Sequence, residues 1–140
     1  MDAEVQTPMA TATMTPLQTI ESVYDAFSRG DIPHILGLIA PHATWHQSPH
    51  VPWGGDYVGP EGATQFFTKL GAACQTTAFV VRENIVVGNE VFSFGRHDEI
   101  LTATGKPAIV EFMFRWRVEN GLITSYVSYV DSGAVVRALA

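Results

Sequence analysis

The stretch VEFMFRWRVENGLITSYVSYVD, residues 110–131, decides the fold. Val110, Phe112, Phe114, Trp116 and Val118 alternate with Glu111, Met113, Arg115 and Arg117, the period-two pattern of a strand with one buried face. Asn120-Gly121 then separates two β-rich runs. An Asn-Gly pair supplies the positive φ that both central positions of a type I′ turn require, so the flanking runs form an antiparallel hairpin. Counting back from that turn, Glu119 opposes Leu122, Trp116 opposes Ser125, Phe114 opposes Val127, Phe112 opposes Tyr129 and Val110 opposes Asp131. The resulting face is aromatic and carries an acid, Asp131, at its end.

Working outward, Thr104-Gly105-Lys106-Pro107 marks the preceding turn. A loop at Gly105-Lys106 sets His97 opposite Phe114 and Glu99 opposite Phe112, on the same inward face. Strands are expected near 77–87, 90–103, 108–119 and 122–131, with a closing helix over Ser132–Leu139. The outward face collects Arg96, Asp98, Glu111, Met113, Arg115, Arg117, Thr124, Tyr126, Ser128 and Val130, a surface suited to solvent or to a second copy of the chain.

The first half reads as helices. Thr15-Pro16 followed by Leu17, Ile20, Val23, Tyr24 and Phe27 is a capped amphipathic helix that ends at Gly30. Asp31-Ile32-Pro33 opens a second, with Ile35, Leu36, Leu38 and Ile39, stopped by Pro41. Ala43–Gln47 is β-prone, and SPHVPWGGDYVGPEG at 48–62, with three Pro and four Gly, reads as a long irregular loop. Pro60-Glu61 starts a third helix with Ala63, Phe66, Phe67 and Leu70 as its stripe. Helices first and a strand meander afterwards indicate an α+β fold, a curved antiparallel sheet covered by three helices from the N-terminal half and closed by a short C-terminal helix.

Composition bounds the function. A chain of 140 residues with 46% hydrophobic content builds one core. Residues 1–15 are expected to be a flexible tail and 16–140 a single domain. The formal charge of −6, from 8 Lys+Arg against 14 Asp+Glu, argues against nucleic acid as a partner. Apolar runs are too short for a membrane span. The lone Cys74 forms no intramolecular disulfide, and the cytoplasm is the expected compartment. Phosphate-binding glycine loops are absent, so no nucleotide or flavin cofactor is expected.

These features together resemble the SnoaL-like polyketide cyclases and ketosteroid isomerase-related proteins of the nuclear transport factor 2-like superfamily. The likeness runs from about Pro16 to Leu139. It rests on the helix pair, the Trp45-His46 strand, Gly-Gly-x-Tyr-x-Gly-Pro at 54–60, Ala-Thr-Gly-Lys-Pro at 103–107, Phe-x-x-x-Trp at 112–116, Asn-Gly at 120–121 and Tyr-x-Asp at 129–131. What it implies is a cone formed by a strongly curved sheet, a ligand cavity at its open end, and a homodimer. It further implies isomerisation, cyclisation, dehydration or epoxide opening, with an aspartate at the position of Asp131 as general acid/base. This chain departs from such relatives in having Phe114-Arg115-Trp116 for His-x-Trp and Val127 for a basic residue.

The candidate catalytic residues are therefore Asp131 and His97. An acid on an apolar face has its pKa raised toward the range useful for proton transfer, and an inward His can shuttle protons or donate to a carbonyl. Asp131 also precedes Ser132 and reads equally as a helix cap. Trp45, His46, Trp53, Tyr57, Phe112, Phe114, Trp116 and Tyr129 are the expected substrate-binding residues. His42, His46 and His50 repeat every four positions, but Pro41 and Pro49 deny them a helix, and no metal site is expected. The expected activity is cofactor-independent acid/base chemistry on a small hydrophobic carbonyl compound; the alternative is a non-catalytic binding or dimerisation module.

Overall fold

The computed structural model describes residues 13–140; of the tail expected at 1–15, residues 1–12 lie outside the described residues, and Thr15 belongs to the first helix as its cap. Thr15 caps helix α1 (Pro16–Ser28) through a capping box with Gln18, and Ile20, Val23 and Ala26 form its buried face. Asp31 caps the short α2 (Ile32–Leu36). Strand β1 (Ile39–Gln47) follows directly, so Ile39 begins a strand instead of extending the second helix. Within the Gly/Pro loop a short strand, β2 (Gly55–Val58), pairs antiparallel with β1. Helix α3 (Gly59–Ala73) then leads into β3 (Cys74–Val87), β4 (Glu90–Leu101), β5 (Pro107–Glu119), β6 (Leu122–Val130) and α4 (Ser132–Leu139).

The strands form one six-stranded sheet in the order β2-β1-β6-β5-β4-β3. This corrects the expected strongly curved, cone-shaped antiparallel sheet. The sheet is mixed, because β1 runs parallel to β6, with Trp45 beside Tyr126. It is also open, with β2 and β3 as its edges. Hairpin signals carry direction only between strands that are neighbours in sequence, so the pairing of β6 with a strand from the far end of the chain left no mark in them.

The Asn-Gly turn forms as read, with Asn120 at φ 52° and Gly121 at 74°. Two residues further on, the register departs from the simple count. Glu119 opposes Leu122 and Val118 opposes Ile123, but Arg117 opposes Ser125, leaving Thr124 in a bulge. From there Trp116 faces Tyr126, Phe114 faces Ser128 and Phe112 faces Val130. One inserted residue sends every later side chain of β6 to the opposite face. Tyr126 and Ser128 therefore point inward, while Tyr129 lies on the outer face, 54% exposed. The β4–β5 register also differs, with His97 opposite Val110 and Glu99 opposite Ala108. That shift is even, so the inward set of β4 is unchanged.

The inward faces of the sheet and helices α1 to α3 enclose the core, whose centre is aromatic: Trp45, Phe66, Phe112, Phe114, Trp116 and Tyr126. On the outer face the arginines pair within the chain, Arg82 with Glu111 at 2.8 Å and Arg115 with Glu90 at 2.6 Å.

Asp131 follows the same shift. Its side chain accepts a hydrogen bond from the Ala134 amide at 3.2 Å and caps α4. Asp131→Ala should cost about 1 kcal/mol of stability through loss of that cap, read by urea unfolding, whereas Asp131→Asn should cost only a few tenths.

Candidate functional site

The cavity lies between the helices and the inward face of the sheet. It offers about 70 Å³ to the centres of water-sized groups and is lined from almost every element, including Tyr24, Trp45, Trp53, Phe79, His97, Glu99, Phe114 and Trp116. Spread over so many residues, that volume describes a narrow cleft. Among the described residues no Lys or Arg lines it.

Its ionisable centre is a pair on β4. Alternation along the strand turns His97 and Glu99 to the same side, and both are buried, at 8% and 1% exposure. His97 Nδ1 and Glu99 Oε2 are 2.5 Å apart. Across the β3–β4 ladder, where Thr76 opposes Glu99, the Thr76 hydroxyl donates to both carboxylate oxygens, at 2.8 and 2.9 Å. An ionised Glu99 holds His97 in the tautomer with a proton on Nδ1 and leaves the Nε2 lone pair free. Nε2 has no hydrogen-bond partner among the described residues. The imidazole is further fixed by Phe112, stacked at 5.9 Å, and by Trp53, edge-on at 6.2 Å. Burial and then the charge of Glu99 push the nearby Cys74 thiol well above its ordinary range, so Cys74 is a protonated packing group.

The rest of the wall is aromatic and largely satisfied. Trp116 Nε1 donates to the Tyr24 hydroxyl at 2.9 Å, and Gln47 Nε2 donates to the Tyr126 hydroxyl at 3.0 Å. Among the described residues, two buried polar atoms of cavity-lining side chains lack a well-formed hydrogen bond, Trp45 Nε1 and Ser128 Oγ.

Of the residues expected from sequence, His97, Trp45, Trp53, Phe114 and Trp116 line one cavity. Phe112 is buried behind them, stacked 3.8 Å from Phe114. The others lie elsewhere, each for a physical reason. Asp131 is exposed as the cap of α4, and Tyr129 is exposed, both because of the Thr124 bulge. His46 alternates outward on β1 and pairs with Asp56 of β2 at 2.5 Å. Tyr57 is buried but anchors the loop, its hydroxyl donating to the Trp53 and Gly54 carbonyls, each at 3.0 Å. Among the described residues no group of three His, Cys, Asp or Glu is arranged to hold a metal ion. Missed from sequence were Glu99 as partner of His97, which its two-residue spacing could have signalled, Gln47, two residues beyond Trp45, and Tyr126 and Ser128, which only the bulge turns inward.

Burial pushes the Tyr126 phenol far above its ordinary value of 10.0, opposed by the neighbouring Ser128 and Gln47 side chains. Tyr24 is raised for the same leading reason. A phenol kept neutral in the fold but free to ionise when unfolded contributes stability that is complete below pH 10 and is lost as pH rises above it. For Tyr126 the loss should approach about 1.4 kcal/mol per pH unit. Urea unfolding between pH 9 and 11 should show this decline, and Tyr126→Phe should make it shallower; equal slopes would refute the assignment.

The sequence model of the SnoaL-like domain matches residues 20–126, from α1 into β6. Among curated proteins nothing matches by sequence. In architecture the chain is similar to an NTF2-like protein from Burkholderia thailandensis, at 26% identity and TM-score 0.85, covering 91% of this chain and 98% of that one. It is similar to TerC, co-crystallised with polyporic acid, at 23% identity and TM-score 0.79, covering 89% and 97%. It also shares its fold with an LEH-like epoxide hydrolase of M. tuberculosis, at 12% identity and TM-score 0.71, covering 91% and 90%. With a matched segment that spans most of the chain and carries the cavity's helices and strands, the protein belongs to the SnoaL-like domain family of the NTF2-like fold.

Proposed function

We propose that this protein is a cofactor-independent acid/base enzyme, of isomerase, cyclase or dehydratase type, acting on a small hydrophobic carbonyl compound. The observation that carries this reading is the His97–Glu99 pair, a histidine whose free nitrogen belongs to an apolar cleft and whose other nitrogen is tied to a buried carboxylate. In such a site Nε2 removes a proton from the carbon next to the carbonyl. The imidazolium that forms is stabilised by Glu99, and the same nitrogen returns the proton to another carbon, or to oxygen after bond formation. Glu99 is here a positioning residue, itself held by Thr76. Exclusion of water by the aromatic walls strengthens the ion pair at the moment it forms.

The lining supports a neutral substrate, since a buried carboxylate or phosphate would lack a cation. Of the fold relatives, one is an epoxide hydrolase and another was co-crystallised with polyporic acid, so this architecture accommodates both chemistry and organic ligands.

Deuterium exchange next to the carbonyl of 2-tetralone, followed by NMR in D₂O, tests the chemistry without knowledge of the natural substrate. The wild-type protein should accelerate exchange over buffer. His97→Gln should lower that acceleration by about 10²–10⁴-fold, Glu99→Gln should lower it less, and Asp131→Asn should leave it unchanged. Binding of the ketone without any exchange would reject catalysis in favour of a binding module.

A further inference from the structure

We propose that the cleft has a second polar pole, formed by Trp45 Nε1 and Ser128 Oγ beside Tyr126, that binds a neutral carbonyl oxygen of the ligand at the end away from His97. The proposal rests on the reading of the cleft as a ligand site, but not on catalysis there. It starts from the two buried side-chain polar atoms of the described residues that lack a hydrogen bond. Buried polar groups are nearly always paired, because leaving one unpaired sacrifices its hydration for nothing. Here the exceptions are a pair, both on residues 3% exposed, and both residues line the same cleft.

The fold places them together. Trp45 and Tyr126 are opposite one another on the parallel strands β1 and β6, with ring centroids 4.3 Å apart. Ser128 follows Tyr126 by two residues on the same face, and its hydroxyl lies close to the Tyr126 phenol, whose ionisation it eases, without a well-formed hydrogen bond to it. Tyr126 already accepts from Gln47.

The chemistry of the pole is one-sided. An indole N–H can only donate, and the serine hydroxyl can donate as well. No carboxylate stands there to receive an ammonium group, because Glu99 lies on β4 and is engaged by Thr76 and His97. No Lys or Arg lines the cleft to balance an anion. A donor-rich, uncharged pole among aromatic rings selects a neutral acceptor, a ketone, quinone or amide oxygen.

The separation of the poles sets the ligand's shape. Ser128 is level with Phe114 and Ser93 in the ladder, and His97 lies four residues further along β4. On a flat sheet that places the two backbone positions about 10 Å apart across the strands and about 13 Å along them. A ligand that meets both poles at once is therefore elongated and apolar in the middle, with its anchoring oxygen remote from the carbon that meets His97, whereas a small ketone meets one pole at a time.

A matched pair of probes, 2-tetralone and its parent hydrocarbon tetralin, tests the pole in the full-length protein. In ¹H–¹⁵N spectra the Trp45 indole signal, identified by its absence in Trp45→Phe, should shift with the ketone and not with the hydrocarbon. The ratio of ketone to hydrocarbon affinity should fall about tenfold in Trp45→Phe and in Ser128→Ala. Without ligand, Ser128→Ala should melt no lower than the wild type, since it removes an unpaired group. An equal response of the Trp45 signal to both probes, unchanged ratios in both variants, failure of either probe to bind, or a lowered melting temperature of Ser128→Ala would each overturn the proposal. None of these readouts requires turnover. Ketone preference that persists in His97→Gln, in a protein that catalyses no exchange, would uphold the anchor while the catalytic reading fails.

Discussion

The parallel pairing of β1 with β6 is the constraint on which the cavity depends. It joins segments 81 residues apart in sequence, as at Thr44 and Ser125. It seats Trp45 where its ring meets Tyr126 at 4.3 Å, Phe66 of α3 at 5.6 Å and Trp116 of β5 at 5.7 Å. One side chain thus ties a helix to three strands of the sheet. Closing so long a loop is entropically unfavourable, and a parallel pair gains slightly less per residue than an antiparallel one. The aromatic burial at this junction, on the order of 1.5–3 kcal/mol for each large side chain, is what offsets that cost. The same contacts form the wall of the cleft, so fold and site are stabilised by one set of interactions.

Electrostatically the site concentrates its polarity in few groups. On the outer face arginines and carboxylates neutralise each other at the surface, whereas inside a single His–Glu pair stands among aromatic rings. A buried carboxyl group is tolerated when its hydrogen-bonding capacity is met, and His97 and the Thr76 hydroxyl meet it for Glu99. The same low dielectric that makes the pair expensive to bury makes any change in its protonation state strongly felt by a neighbouring ligand.

Much of this was legible from alternation and turn chemistry. The strand order from β3 to β6, the helix starts at Thr15 and Asp31, and the inward direction of His97, Phe114 and Trp116 follow from residue patterns that local physics dictates. The count from a turn fixes a register only as far as no residue is inserted, and what matters for a face is whether the error is odd or even. The four-residue shift between β4 and β5 left His97 and Glu99 inward. The single residue Thr124 was enough to exchange Tyr129 and Asp131 for Tyr126 and Ser128. Nothing in the run LITSYVSYV marks where a bulge falls, because Thr, Ser and Val suit either face of a strand. The direction of β1 was hidden for a different reason, since it depends on a partner far away in sequence.

In the loop at 48–62, read from composition as irregular, the glycines serve close approach. A Cβ on Gly54 would lie 2.0 Å from the Ser48 carbonyl oxygen, and one on Gly62 would lie 3.0 Å from Tyr57 Cβ. With Tyr57 bonded to the Trp53 and Gly54 carbonyls, the segment is drawn in against α3, and Trp53 becomes a fixed wall beside His97. His97 is then held by Glu99 along its strand, by Phe112 on its face and by Trp53 at its edge. Each of these restraints comes from a different element, so the imidazole has no single neighbour whose movement would release it. A side chain held from three directions needs little reorganisation when its surroundings change, and the glycine-rich loop supplies one of those restraints through Trp53.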